Sequence, residues 1–533
     1  MNERQMMTWV LLLCAVPVLA AAEPGDPPPD PTTFEGGRAS VAAVRAQSPA
    51  TGRAKNVILF IGDGMGISTL TAARIYQGQL RGESGEENRL AFETFPHLAL
   101  VKTYNTNQQT PDSAGTMTAI VTGSKTRAGV LSVDRKVARG DFADVPGNEL
   151  PTLLEHAEER GVATGIVTTT TVTHATPAAL YAHSPERAWE SDARLSDASR
   201  AAGFPDLARQ LIEFAPGDGI DVVLGGGLQN FLPSSSSDPE SPNRGKRLDG
   251  RDLTAEWRSG RENAVVVTTR DQLLGLDPAR TGPLLGLFEP GHMNYEEDRL
   301  RNPTGDPSLS EMTRAAISIL AKKPRGYFLM VEAGRIDHAH HAGNARRALR
   351  DTIELSDAVR LAREATDPAD TLIVVTADHS HVFTIAGYST RGNDILGKVR
   401  TNDAVGEPSA DFSLDAAGRP YTTLGYQNGP GARSTVRKSD EVGIHTSEDD
   451  AVARSRFRRR PDLSQIDTTA LEFLQEAAVP LGYETHGGED VTVYADGPGA
   501  ELFRGVQEQN YLYHAMAEAL GWNRRSLVEP SPR

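Results

Sequence analysis

Four short, mostly apolar runs stand out along this chain, and each delivers carboxylate, imidazole or hydroxyl groups at its carboxyl end. Residues 57–61, Val-Ile-Leu-Phe-Ile, lead into Gly62-Asp63-Gly64. Residues 162–168 lead into a threonine run and then His174-Ala175-Thr176-Pro177. Residues 327–331 lead into Glu332 and, a few positions on, Asp337-His338-Ala339-His340-His341. Residues 371–376 lead into Ala377-Asp378-His379-Ser380-His381. Runs of this length, rich in β-branched and aromatic residues, predict strands, and continuous apolarity predicts burial on both faces, as in parallel sheets. The pattern therefore predicts an α/β fold with a large, mostly parallel central sheet flanked by helices on both faces. After Phe383 the pattern changes. Across 387–484 Gly, Pro, Ser and Arg are frequent and long apolar runs are few, which predicts a smaller inserted domain. Residues 53–386 form the predicted core, and 485–533 return to it. At 533 residues the chain is long enough for three or four domains, but the strand-and-helix pattern fits one large α/β domain with insertions.

In open α/β sheets ligands bind beyond the carboxyl ends of the strands, so these four termini predict one shared site. Asp63 alone reads equally well as a helix cap, and His338, His340 and His341 alone could be an exposed cluster. Together they point to a multinuclear metal site. Asp337 and His341 are four apart, on one face of a helical turn, and Asp378-His379 is an adjacent carboxylate–imidazole pair. Carboxylates gathered at one sheet edge repel each other unless a cation joins them. A nucleophile candidate lies in Pro111-Asp112-Ser113-Ala114-Gly115-Thr116. Pro111 and Asp112 predict a helix start, and Ser113 is either a cap or a nucleophile placed where the helix dipole favours an alkoxide and an anion.

These residues resemble the alkaline phosphatase family. The matching segments are 56–66, 111–123, 167–193, 331–342, 374–383 and 483–490, within a likeness that runs from about Lys55 to Gly521. His174 before Thr176, His338 after Asp337, and Leu287-Phe288-Glu289-Pro290-Gly291 are more similar to the animal enzymes than to the best-known enteric bacterial one. Thr176 itself matches the bacterial type at a position where animal enzymes have Ser, and either hydroxyl ligates magnesium. The resemblance implies a phosphomonoesterase that acts on a broad range of phosphate monoesters through a phosphoserine at Ser113. One zinc would take Asp337, His341 and His486. A second would take Asp63, Asp378 and His379, with Ser113. Magnesium would take Asp63, Thr176 and Glu332, with waters. Arg187 would clamp phosphate, unless it pairs with Glu186 or Asp192 on the surface. His174 and His338 would lie beside the magnesium. Glu240, the Phe288 carbonyl, Glu289 and Asp306 would hold a structural calcium. The insertion at 387–484 matches a crown domain in position. The family's usual homodimer would bring Tyr388 to the partner's active-site entrance.

The chemistry is consistent with those assignments. Zinc takes nitrogen and carboxylate ligands and leaves a position open, and magnesium prefers oxygen and keeps water. Two metals about 4 Å apart clamp the attacking and leaving oxygens of a phosphoryl displacement. A formal charge of −16 argues against a nucleic-acid backbone as partner. It is compatible with anionic substrates only because three divalent ions and Arg187 outweigh the four site carboxylates, leaving the site locally positive.

Arg4 followed by the apolar stretch 9–20 and the small residues Ala20-Ala21-Ala22 predicts a secretory signal over 1–22, too short to span a membrane. Residues 23–52, rich in Pro, Ala and Gly, predict a leader and a flexible arm. Cys14 is the sole cysteine and lies in the signal, so the mature chain is expected to hold no disulfide. The end of the chain is polar, without the hydrophobic tail of a glycolipid anchor, which favours a secreted or periplasmic protein of bacterial source with no membrane anchor. Arg454 to Arg460 reads as a basic surface or interface patch. Two other readings compete: a diesterase or sulfatase on the same scaffold, and a non-catalytic metal or phosphate binder. Sulfatases of that scaffold use a Cys/Ser-x-Pro-x-Arg motif that the residues after Ser113 do not fit. The diesterases usually use Thr as nucleophile. A mere binder should lack a nucleophile or a ligand, and none is missing.

Overall fold

In a computed structural model of the protein, residues 52–236, 245–302, 305–432 and 460–522 are described. The expected signal and arm over 1–51, Glu240, Arg454 to Arg459 and the polar terminus past Trp522 lie outside them. Arg460 lies within them and is paired rather than free, with Asp415 at 2.7 Å and with Glu476.

The four runs become four strands. They are β1 (Asn56–Gly62), β3 (Ala163–Thr171), β7 (Tyr327–Ala333) and β8 (Thr371–Ala377), with every residue of all four buried. The threonine run read as a connection after 168 is instead the end of β3, in line with the fit of β-branched side chains to a pleated surface. With β2 (His97–Lys102), β4 (Val222–Gly226), β5 (Val265–Val267), β6 (Leu284–Leu287), β14 (Val491–Asp496) and β15 (Gly505–Glu508) they form one sheet, ordered β15-β2-β14-β8-β1-β7-β3-β4-β6-β5. Only β14 is antiparallel to its neighbours. The four runs are thus adjacent and central, where a strand is covered on both faces and must be apolar throughout.

Parallel register fixes the heights of their ends. Ile61, Glu332 and Thr168 are level across β1, β7 and β3, and Gly62 is level with Ala377 of β8. Asp63 and Asp378, each one residue past its strand, therefore emerge side by side. Gly64 makes the turn after Asp63 with φ +70°, and a Cβ there would come within 2.4 Å of the His381 ring.

The main helices fall into two packed groups. One holds α1 (Ile67–Leu80), α4 (Leu309–Leu320), α5 (Arg335–His341) and α6 (Ala345–Ala365). The other holds α2 (Ser113–Thr122), α3 (Ala175–Ala178) and α7 (Tyr511–Ala519). Both groups pack against the central strands. No described helix is long and apolar enough to cross a membrane.

A second sheet, ordered β10-β11-β12, joins β10 (Phe383–Ile385), β11 (Leu424–Gly429) and β12 (Glu476–Pro480). It straddles the expected boundary at Gly387, with β10 before it and β11 and β12 after. A two-stranded ribbon pairs β9 (Ser380–His381) with β13 (His486–Gly487), carrying the chain from the insertion back to the ends of the central strands.

Candidate metal centre

Asp337 lies in the first turn of α5, and its Oδ1 is ringed by three imidazole nitrogens. His381 Nε2 is at 2.7 Å, His341 Nε2 at 3.2 Å and His486 Nε2 at 3.3 Å. Where each ring's other nitrogen points decides what the ring can do. His341 Nδ1 meets the Glu484 carbonyl at 2.6 Å, and His486 Nδ1 meets the Pro111 carbonyl at 2.7 Å. A carbonyl only accepts, so both Nδ1 atoms carry a proton, and in the neutral rings both Nε2 atoms present lone pairs. Those two Nε2 atoms face each other at 3.1 Å. With the rings neutral, two lone pairs and a carboxylate oxygen converge into a cation site, and a ligating histidine anchored through its far N–H is the usual arrangement.

His381 differs. Its Nδ1 meets the Glu484 carboxylate and its Nε2 meets Asp337. Both nitrogens face carboxylates, and although burial works against the charged ring, Glu484 and Asp337 raise its pKa to about 10. His381 thus bridges Asp337 and Glu484 and fixes both, while standing in the same cluster of cation-binding groups as Asp337, His341 and His486. Against the burial of Asp337, His341 and the other imidazoles hold its carboxyl well below the usual range.

A second convergence adjoins the first, with His379 and His486 stacked at 3.7 Å. Asp378 Oδ1 accepts from the N–H groups of Gly64 and His379, and its Oδ2 accepts from Thr116. His379 Nδ1 turns to the Ser380 carbonyl at 3.3 Å, leaving Nε2 toward Asp63 Oδ1 at 3.5 Å, Asp378 Oδ2 at 3.3 Å and Ser113 Oγ at 3.1 Å. Ser113 opens α2 and is 2 % exposed. The cap is Asp112, whose Oδ1 accepts from the Gly115 N–H, so the Ser113 hydroxyl is free of that duty.

The third group is oxygen-rich. Glu332 Oε2 accepts from Thr168 and Thr170, and Thr176 Oγ1 donates to Asp63 Oδ2 at 3.5 Å. Asp63, Glu332 and His174 each place an atom within 4.8 Å of the others. Asp63 Oδ1 and Glu332 Oε1 are buried without a hydrogen-bond partner. Burial, then Asp378, Asp337 and Glu332, push the Asp63 carboxyl well above its ordinary value, and burial pushes Glu332 up to about 7. Orphaned, mutually repelling carboxylate oxygens beside a threonine hydroxyl fit a hard cation. The residues present thus fit metal ions in all three groups.

Arg187 stands beside Ser113. Its Nη1 donates to Asp112 Oδ2 at 3.1 Å and its Nη2 to His174 Nε2 at 3.3 Å. Neither Glu186 nor Asp192 takes it. Glu186 pairs with Arg139, and Asp192 accepts from the N–H groups of Leu248 and Asp249.

The sequence profile described as alkaline phosphatase matches residues 54–522. The chain belongs to the alkaline phosphatase family. It is 48 % identical over 491 residues to the tissue-nonspecific alkaline phosphatase of Gallus gallus, covering 90 % of this chain and 88 % of that one. To the same isozyme of Homo sapiens it is 45 % identical over 484 residues, covering 90 % and 86 %. The solved structure of Thermus thermophilus alkaline phosphatase superposes with TM-score 0.60 at 27 % identity, covering 90 % of this chain and 94 % of that one. The molecule is thus a metal-dependent hydrolase of phosphate monoesters.

Within this alkaline phosphatase fold the remaining expected residues fall as follows. His338 Nδ1 accepts from Arg335 at 2.8 Å, and its ring lies 5.4 Å from that of His174. Glu289 Oε1 and Asp306 Oδ2 come together around the Asn294 amide, which donates to each at 3.1 Å, and Phe288 opens the same loop. Sequence reasoning assigned no role to His381 or Glu484. Glu484 also takes the Val382 N–H, so one buried carboxylate locks the strand after His379 to the segment before His486.

Proposed function

We propose that this protein is an exported phosphomonoesterase that passes the phosphoryl group through Ser113 at a two-zinc, one-magnesium site. One zinc takes Asp337, His341 and His486. The other takes Asp63, Asp378 and His379, with Ser113. Magnesium takes Asp63, Thr176 and Glu332. The observation that carries this reading is the pair of Nε2 atoms of His341 and His486 facing each other at 3.1 Å beside Asp337, with each Nδ1 held by a backbone carbonyl.

When bound, the cations would neutralise the carboxylates, lower the pKa of the serine hydroxyl and stabilise charge on the attacking and leaving oxygens. The chain's own residues do the rest. Asp112 caps α2 and holds Arg187, so the guanidinium fork lies over the helix start, where free N–H groups favour an anion. Ser113 Oγ attacks phosphorus and the alcohol leaves. Water then attacks the phosphoserine and inorganic phosphate leaves. Positioning and electrostatics supply most of the rate in such transfers. His174 and His338 line the magnesium side, and Glu289, Asp306, Phe288 and Glu240 are proposed for a structural calcium. The signal over 1–22, the crown-like unit over 387–484 and a homodimer reaching the partner's site through Tyr388, which is 96 % exposed, complete the reading.

The test is release of p-nitrophenol from its phosphate, phosphodiester and sulfate esters across pH, with and without a chelator. The phosphate ester should be fastest, chelation should abolish turnover, and zinc with magnesium should restore it. Faster sulfate or diester hydrolysis, or indifference to chelation, would contradict the proposal.

A further inference from the structure

His292 lies in the turn after β6, and nothing in the phosphoryl chemistry above uses it. Its Nδ1 accepts from the backbone N–H of Thr171, at the end of β3, at 3.1 Å. Its ring meets the His174 ring edge-on, with centroids 5.4 Å apart at 89°, and lies 4.4 Å from the His338 ring. His174 and His338 are themselves 5.4 Å apart at 76°. The result is a block of three imidazoles on the flank of Arg187.

Each ring accepts from a group that can only donate. The donors are the Thr171 N–H to His292, the Arg335 guanidinium to His338 and the Arg187 guanidinium to His174. None of the three can carry both protons, so the rings are neutral and pack without charge repulsion. For the same reason each remaining nitrogen carries its hydrogen, which argues against a metal held by the three rings together. His174 Nδ1 is buried and has no hydrogen-bond partner. The orientation of the His174 ring is therefore set by its one bond to Arg187 and by packing against His292 and His338. Arg187 in turn has two supports, Asp112 on Nη1 and His174 on Nη2. Asp112 is pinned by the N–H groups of Gly115 and Gly129. The His174 end has no such backbone anchor.

Given that Arg187 holds the phosphate, we propose that His292 is a positioning residue for Arg187, buttressing the His174 ring so that the guanidinium fork stays aimed. Without the His292 ring one side of His174 is open, the imidazole can turn, and the fork can pivot about Asp112. A bidentate clamp is sensitive to such a pivot because both of its bonds depend on one plane.

The experiment compares wild type with H292A, H292N, R187A and the H292A/R187A double variant. It measures kcat and KM for p-nitrophenyl phosphate, the inhibition constant of inorganic phosphate, and bound zinc. H292A should raise KM and the phosphate inhibition constant several-fold, with little change in kcat and full zinc content. H292N keeps an acceptor for the Thr171 N–H and should recover part of the loss. In the R187A background H292A should add nothing, because the clamp it positions is gone. Unchanged phosphate inhibition in both H292A and H292N, with R187A impaired, would overturn the positioning role, as would an equal loss on the R187A background. Unchanged inhibition in R187A would instead overturn the reading of Arg187 itself.

Discussion

A buried carboxyl far from the strand ends that carry the site shows how this chain treats charge it cannot neutralise. Glu158 is 2 % exposed, its Oε1 takes the Thr164 hydroxyl, and its Oε2 has no partner. Burial, with Asp221 and Asp218 nearby, outweighs Thr164 and Lys323 and raises its pKa to about 8. The folded value lies above the unfolded one of about 4.3. The folded chain therefore holds the proton more tightly, and stability is lost as pH rises from about 4.3 to about 8. Glu158→Gln removes that dependence. Its melting temperature relative to wild type should be higher at pH 9 than at pH 5, by thermal denaturation at both; an equal difference would contradict the assignment. At the metal centre His341→Ala and His486→Ala should each cost one zinc and slow turnover by orders of magnitude, whereas replacing half-buried His97 of β2 should cost neither. Full zinc in both variants by metal analysis would contradict the ligand set. The roles of His381 and Glu484 escaped sequence reasoning for a physical reason. The partners of His381 lie 44 and 103 positions away, and its role exists only once three segments meet.

Elements were legible where burial on both faces coincided with a long run. β1, β3, β7 and β8 are covered on both faces, so their sequences had to be apolar and could be read directly. β2, β4, β5, β6, β14 and β15 went unread, and for β4 and β6, which are buried throughout, the reason is shortness: five and four residues leave too brief an apolar run to stand out. β2 is only partly buried and β15 has no buried residue, so neither needs a continuous apolar run, and β14 owes its place to a return of the chain after a long insertion. The same logic sets the cost of damage. Leu59, in the middle of β1, is fully buried, and Leu59→Ala should destabilise by about 2–5 kcal/mol. Asp63 hangs from the end of that strand, so metal affinity should fall along with stability. Denaturant titration with zinc analysis is the check, and a loss under about 1 kcal/mol would place β1 outside the cooperative core. Ser113 shows what local pattern can and cannot do. Pro111-Asp112 predicted the helix start, but whether serine or aspartate served as cap was decided only by the Asp112 bond to the Gly115 N–H.

For the whole molecule, α/β character and a shared site at the carboxyl ends of the central strands were legible because period and register both follow from the apolar runs. The less regular segment after Gly387 carried no such pattern, since turns and isolated bridges leave little periodic trace. Tyr388 projects from it with φ +51° and near-complete exposure, a costly posture for a bulky side chain with nothing to cover it. A homodimer that covers Tyr388 should sediment as a dimer at low concentration, and Tyr388→Ala should weaken it or change KM. A fully active monomer would rule out any need for the partner.

The central claim is that Ser113 becomes phosphorylated in a metal-dependent cycle. It is tested most directly by quenching the enzyme during turnover of a phosphate monoester and locating phosphate on its peptides by mass spectrometry. The account predicts phosphate on Ser113 alone, absent from the chelated enzyme and from Ser113→Ala, whose turnover should fall by orders of magnitude. Wild-type turnover in Ser113→Ala, or phosphate trapped on a different residue, would contradict it.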